Sequence, residues 1–286
     1  MLTKFSTFVV TGMRLVFPLV ILAGVLLSGC AVVSVGEFQD SETEEAGEHS
    51  LGVGITVLGV DPAVLEGQSG VGYAMHVPAY FPNELRYRYG LDDRLEVHAG
   101  LWSVNWAPML LSLGTIPARD IGAKAGARRM LTERGSDWML SAGFDAFGYT
   151  ARLGEDTRFP QLDDTGQSIR AAGGSMHATG TAVLGDDARE AFRLLSRYLP
   201  IVGRADRVYG GLKLQAMWTD VTWHDNNGDQ TASGMHIIPM PYIGITSGRR
   251  IQQFTEINGL VYFDEAAGQW QPSLGFGVGV RIPLGR

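Results

Sequence analysis

The chain holds a single cysteine, Cys30, among 286 residues. One thiol excludes a disulfide framework and every metal site built from several cysteines. Charge is scarce as well. Asp, Glu, Lys and Arg make up 19% of the residues, below the ~25% of an ordinary soluble domain. The 23 basic residues are outnumbered by 30 acidic ones, for a formal net charge of −7. That balance argues against nucleic acid, whose binding depends on a basic stripe. No HExxH pair, GxSxG elbow or Walker loop occurs, so the commonest signatures of zinc hydrolases, serine hydrolases and nucleotide-binding enzymes are missing. The six histidines (His49, His76, His98, His177, His224 and His236) fall at no paired-ligand spacing. The expectation is a non-enzyme without cofactor or metal. Glycine, in contrast, is abundant: 38 residues, nearly twice the usual share of ~7%.

The N-terminus reads as an address. Lys4 and Arg14 carry its positive charge, Leu15 to Leu27 is wholly apolar, and Ser28, Gly29 and Cys30 follow. A basic start, an apolar core and small residues before a cut describe a secretory signal peptide. Leu27-Ser28-Gly29-Cys30 resembles the lipobox of bacterial lipoproteins, in the place where the only cysteine stands. The resemblance implies removal of residues 1–29, acylation of Cys30 by palmitate-type chains, and contact with lipoprotein-processing and outer-membrane sorting machinery. Ala31 stands where an Asp would retain such a lipoprotein at the inner membrane, so the implied destination is the outer membrane. The uncharged run continues to Gly36, long enough to span a bilayer as an uncleaved helix, but the small residues before Cys30 favour cleavage.

Glu37, Asp40, Glu42, Glu44, Glu45 and Glu48 follow with no intervening base. Such a run is expected to be solvated and flexible, so residues 30–50 read as an acidic tether and residues 51–286 as the folded domain.

Within that domain, alternation of period two dominates. Leu95, Val97, Ala99 and Leu101 oppose Arg94, Glu96 and His98, and the preceding Leu85, Tyr87 and Tyr89 oppose Arg86 and Arg88. Gly90-Leu91-Asp92-Asp93 between them supplies turn residues, which predicts a hairpin. Similar alternation recurs around Ile121–Arg128, Trp138–Ala146, Val208–Trp218 and Leu274–Ile282, with weaker runs near 51–60, 71–80, 168–180, 235–247 and 250–263. Pro78, Pro239 and Pro241 weaken two of these as strands. Ala188, Ala191, Phe192, Leu195 and Leu199 instead recur at helical spacing behind Asp186 and Asp187 as candidate caps. The expected fold is all-β: an antiparallel up-and-down β-barrel of about ten strands (eight to twelve), with one short helix in a long connection.

Alternation does not reveal which face meets water. A membrane barrel turns its apolar face to lipid, and a soluble barrel turns it inward. Gly and Ser are common on the polar faces, where a soluble exterior would carry Lys and Glu. Aromatics near strand ends (Trp102, Trp106, Trp138, Tyr149, Trp218, Trp223, Tyr262, Phe263, Trp270) suggest interfacial girdles. The phrase Arg88-Tyr89-Gly90-Leu91-Asp92-Asp93-Arg94-Leu95-Glu96-Val97 resembles hairpins of porin-like outer-membrane proteins. The chain ends Pro283-Leu284-Gly285-Arg286, without the terminal aromatic usual in such barrels, and a membrane barrel needs no lipid anchor. The favoured reading is a lipid-anchored outer-membrane barrel, structural or passing small solutes or anions. The alternative is a lipid-tethered periplasmic β-domain binding a ligand or envelope partner.

If the polar faces line a lumen, they place Arg86, Arg88, Arg94, Lys124, Arg128, Lys213 and Arg281 there against Glu96, Asp145 and Glu256. This is a candidate basic site for an unidentified small anionic ligand. Barrels near this size leave little free interior, which favours a filled barrel whose charges pair internally. Asp225, Asn227 and Asp229 have the alternate spacing of a calcium loop, but Gln230 stands where a glycine is needed, and the stretch is also a good turn. Ser175 beside His177 invites comparison with outer-membrane lipid hydrolases, with no third orienting residue evident.

Overall fold

The computed structural model describes residues 37–59, 79–80, 83–103, 120–153, 166–196, 205–225, 228–248, 251–264 and 269–285. The leader with its lipobox and Cys30 therefore lies outside the described residues.

The strands are β1 (His49–Gly59), β2 (Ala79–Tyr80), β3 (Asn83–Gly90), β4 (Leu95–Ser103), β5 (Asp120–Met130), β6 (Trp138–Leu153), β7 (Gly166–Val183), β8 (Arg207–Asp225), β9 (Gly228–Ser247), β10 (Gln252–Asp264) and β11 (Gln269–Gly285). From β3 to β11 each strand pairs antiparallel with its neighbour in the chain, and β1 lies between β3 and β11. The ladder from Leu51↔Ile282 to Gly59↔Leu274 closes the sheet. β2 only extends the end of β1 through Leu58↔Tyr80. The wall is thus a closed, ten-stranded, up-and-down barrel, as the alternation predicts. Closure gives every wall strand a neighbour on both sides, where an open sheet would leave two strands at its edges.

The predicted hairpin is present. Asp92 Oδ1 accepts the backbone N–H groups of Arg94 and Leu95 at 2.7 and 2.8 Å, a side-chain turn that ends β3 and starts β4. Pro239 and Pro241 do lie within β9, paired to Leu214 and Leu212 of β8. The ladder from β9 to β10 spans only Tyr242 to Ser247. It stops where Pro241 has no N–H to donate. Asp225 pairs with Gly228, so β8 and β9 join through a two-residue connection. This favours the turn reading of that stretch, whose residues 226–227 lie outside the described set.

Helix α1 (Asp186–Leu195) connects β7 to β8. Its N-cap position is Gly185, without a side-chain cap. Asp186 and Asp187 instead occupy the first turn, where negative charge complements the helix dipole. The helix stops at Leu195, and Leu194 is exposed.

The wall is polar inside and apolar outside. Arg128 and Glu96 are fully buried, whereas Phe144 and Met176 are 59% and 65% exposed. This is the reverse of a soluble barrel. The aromatic girdle is only partly present. Trp138 and Trp218 face outward, but Trp102 and Tyr149 are buried. Trp102 shares the parity of Glu96 and His98, so its ring enters the lumen. There it stacks on Tyr149 at 6.2 Å between centroids and lies over Gly122, where any side chain would collide with it. Trp106 and the side chains of Trp223, Tyr262, Phe263 and Trp270 lie outside the described set.

Candidate functional site: a charged lumen filled by the N-terminal segment

Strand parity sets the inner wall. Alternate residues of β3 turn Glu84, Arg86 and Arg88 inward; β4 adds Glu96 and His98, and β5 adds Lys124 and Arg128. Across the barrel β6 contributes Asp145, β7 His177, β8 Lys213, β10 Glu256 and β11 Arg281. Six of the seven basic residues predicted for the lumen are therefore buried there. Arg94 is not: it sits in the exposed turn before β4, because the strand begins one residue after it. Glu84 was missing from the sequence-based set, although it shares the parity of Arg86 and Arg88.

Many of these charges pair along the wall. Lys124 Nζ lies 3.0 Å from Glu84 Oε1, Arg86 Nη2 lies 2.6 Å from the same oxygen, and Arg128 Nη2 lies 3.0 Å from Glu96 Oε1. Fully dry pairs of this kind are costly to assemble and more costly to break singly.

The larger departure from expectation is the acidic run before β1. It is no solvated tether. Glu37, Gln39, Asp40 and Ser41 are each at most 1% exposed, because residues 37–44 run inside the barrel and meet the bases that line it. Glu37 Oε1 lies 2.8 Å from Lys213 Nζ. Asp40 Oδ2 lies 2.8 Å from Arg207 Nη1, its Oδ1 lies 3.7 Å from Arg281, and Glu44 Oε1 lies 3.6 Å from Arg281. Glu42 meets Arg207 and, at 3.5 Å, Arg134. Charge runs default to water only when no counter-charge is near. Here the fold supplies counter-charges from β3, β8, β11 and the turn after β5. Burial opposes ionisation of Glu37, but Lys213, Lys124 and Arg86 outweigh it and hold the carboxyl well below its ordinary value of 4.5. The wall residues named above lean positive, and the four acids Glu37, Asp40, Glu42 and Glu44 more than offset that lean.

The wall also grips the main chain of the segment. Arg86 donates to the Glu37 carbonyl at 2.9 Å, Arg88 to the Phe38 carbonyl at 3.3 Å, and Arg128 to the carbonyls of Asp40 and Glu42. In the opposite sense, Glu256 accepts the N–H groups of Glu37 and Phe38, both at 2.9 Å. Phe38 has φ +43°, a left-handed conformation costly for a bulky residue. The two successive N–H groups of Glu37 and Phe38 thus converge on one carboxylate. The Phe38 ring packs in a cluster with Tyr209, Tyr242 and Phe254. It lies against β1 and β11 at Gly54, Gly277 and Gly279; a side chain at Gly277 would come within 2.6 Å of the ring. The alternating glycines of β11 are therefore the slot that admits Phe38. Beside the segment, a void of about 10 Å³ remains among Glu37, Phe38, Arg86, Arg88 and Arg281, about enough for one water molecule.

Ser175 and His177 do meet an aspartate, but not as a catalytic triad. Ser175 Oγ donates to Asp145 Oδ2 at 3.1 Å, His177 Nδ1 lies 3.6 Å from that oxygen, and His98 Nε2 lies 2.5 Å from Asp145 Oδ1. The serine is bonded to the acid instead of to a base. All four side chains are buried in the lumen, away from the apolar outer face. Among the described residues no group of His, Cys, Asp and Glu has the geometry to hold a metal ion.

No protein-family model matches this sequence, and no curated protein does. Solved structures resemble it distantly. The translocator domain of the autotransporter NalP from Neisseria meningitidis is similar with a TM-score of 0.40 at 11% identity, covering 84% of this chain and 89% of that one. An outer membrane channel from Pseudomonas putida F1 is similar with a TM-score of 0.34 at 11% identity, covering 88% and 100%. Outer membrane phospholipase A from Escherichia coli is similar with a TM-score of 0.25 at 9% identity, covering 84% and 94%.

Proposed function

We propose that this chain is a lipid-anchored barrel of the bacterial outer membrane whose lumen is closed by its own N-terminal segment. The inverted burial pattern carries this reading: buried Arg128 and Glu96 inside, exposed Leu101, Phe144, Met176 and Ile237 outside. Apolar residues on the outer face of a closed antiparallel barrel suit lipid, where a soluble tethered domain would need a polar surface. Crossing a bilayer takes roughly 9–11 residues of tilted strand. The wall strands run from 8 residues in β3 to 20 in β9, and every one but β3 reaches that length.

The lipobox resemblance supports acylation at Cys30. Closure of the lumen by residues 37–44 supports a barrel that is structural in its resting state, not an open anion pore. Three measurements test this. The folded protein should migrate faster than the heated protein in detergent gels. A Cys30→Ser variant should lose incorporation of a palmitate analogue and still require detergent for extraction; release of that variant into aqueous periplasm would sink the membrane-spanning reading. The intact chain should carry no ion-selective current in planar bilayers.

A further inference from the structure

The contacts inside the lumen are those of a site that reads a polypeptide. Its donors, Arg86, Arg88 and Arg128, reach main-chain carbonyls. Its acceptors reach main-chain N–H groups: Glu256 those of Glu37 and Phe38, Glu96 Oε2 that of Glu44 at 2.9 Å, and Thr181 Oγ1 that of Ser41 at 2.7 Å. We propose that the basic tier of the lumen is a binding site for an extended acidic polypeptide, which residues 37–44 of the same chain fill in this structure. The proposal deepens the closed-lumen reading and does not depend on the membrane.

Two features define the ligand. Main-chain donors and acceptors are common to all peptides, so these contacts recognise a polypeptide backbone, and the glycine slot adds room for one aromatic side chain at the Phe38 position. The side-chain contacts then select for acid, because Lys213, Arg207 and Arg281 meet Glu37, Asp40 and Glu44. The buried carboxylates of Glu256 and Glu96 exclude the obvious competitors. A polyphosphate or a nucleic-acid backbone offers them no N–H donors and would be repelled, whereas a peptide satisfies them. Tethering gives the chain's own segment a high effective concentration. A segment from another protein would therefore bind only once the resident one has left.

The test uses a full-length variant in which residues 37–45 are replaced by Gly-Ser of equal length, purified in detergent. A second preparation carries a protease site at the rim, where Ala46 is exposed, and is cut after folding. The probe is a fluorescent peptide with the sequence of residues 37–46, measured by anisotropy against the same peptide with every acid replaced by its amide. The acidic peptide should saturate the first preparation and replace the cut segment in the second. The amide peptide should bind at least ~10-fold more weakly, the cost of about one charge-assisted contact. Inorganic polyphosphate should compete poorly. No saturable binding by the folded variant, no exchange in the cut protein, equal binding of the amide peptide, or efficient displacement by polyphosphate would each overturn the proposal. Binding is read in detergent and membrane insertion by fractionation, so failure of one is distinguishable from failure of the other.

Discussion

Glu37 and Lys213 form an ion pair of 2.8 Å inside the barrel, each side chain at most 2% exposed. One belongs to the segment before the first strand and the other to the middle of β8. Replacing Glu37 by Gln removes the negative charge against which the Lys213 ammonium is buried, and breaking one side of such a pair costs about 3–5 kcal/mol. The temperature at which the compact gel band converts to the unfolded one should fall. Glu37→Gln combined with Lys213→Met should recover part of the loss, and a double variant no more stable than the single one would contradict the pairing.

The acidity of Glu37 makes a prediction about pH. Its carboxyl is held well below 4.5 in the folded chain, with Lys213, Lys124 and Arg86 overcoming the opposing effect of burial. A depressed carboxylate adds stability above its unfolded value and loses it as pH falls through the folded one. The contribution of Glu37 should therefore be constant above about pH 5 and decline progressively below about 4.5. The difference in conversion temperature between wild type and Glu37→Gln, measured from neutral to acid pH, should shrink only below that point.

The Phe38 slot predicts a paired effect of opposite sign. Gly277→Val places a side chain where the Phe38 ring lies, and overpacking of this kind costs typically 1–3 kcal/mol. Phe38→Ala in the same chain should relieve that cost, although Phe38→Ala alone opens a cavity among Tyr209, Tyr242 and Phe254. Protease cleavage near Ala46, timed on the folded protein, should be faster in Gly277→Val than in the double variant.

Arg94 and Arg128 look equivalent in sequence and should behave differently. Arg128 is fully buried, pairs with Glu96 and bonds the carbonyls of Asp40 and Glu42. Arg128→Ala should destabilise the barrel by roughly 3 kcal/mol or more. Arg94 lies in an exposed turn, and Arg94→Ala should change stability by no more than about 0.5 kcal/mol. Thermal conversion of both variants in one detergent provides the comparison.

Much of the barrel was legible because β-structure is written locally. Glu96, His98 and Trp102 share one face of β4 by parity alone, and Asp92 announces the turn before it. The girdle was less legible, since alternation assigns Trp102 to a face without saying that Gly122 leaves room for its ring inside. Pro241 was misleading for a related reason. It is tolerated because the β9–β10 ladder stops at Tyr242, and ladder length depends on the neighbouring strand.

The sequence by itself determined two chemically distinct faces on each strand, the order of the strands, and most of the basic residues on the inner face. Only the tertiary structure decided which face was inside and what filled it. The six acids from Glu37 to Glu48 have no base within the run, so their local pattern reads as a solvated tether. Glu37, Asp40, Glu42 and Glu44 find their partners in Arg86, Arg134, Arg207, Lys213 and Arg281, which barrel closure gathers around one axis. Coulomb attraction depends on distance in space and on exclusion of water, and neither is encoded in spacing along the chain.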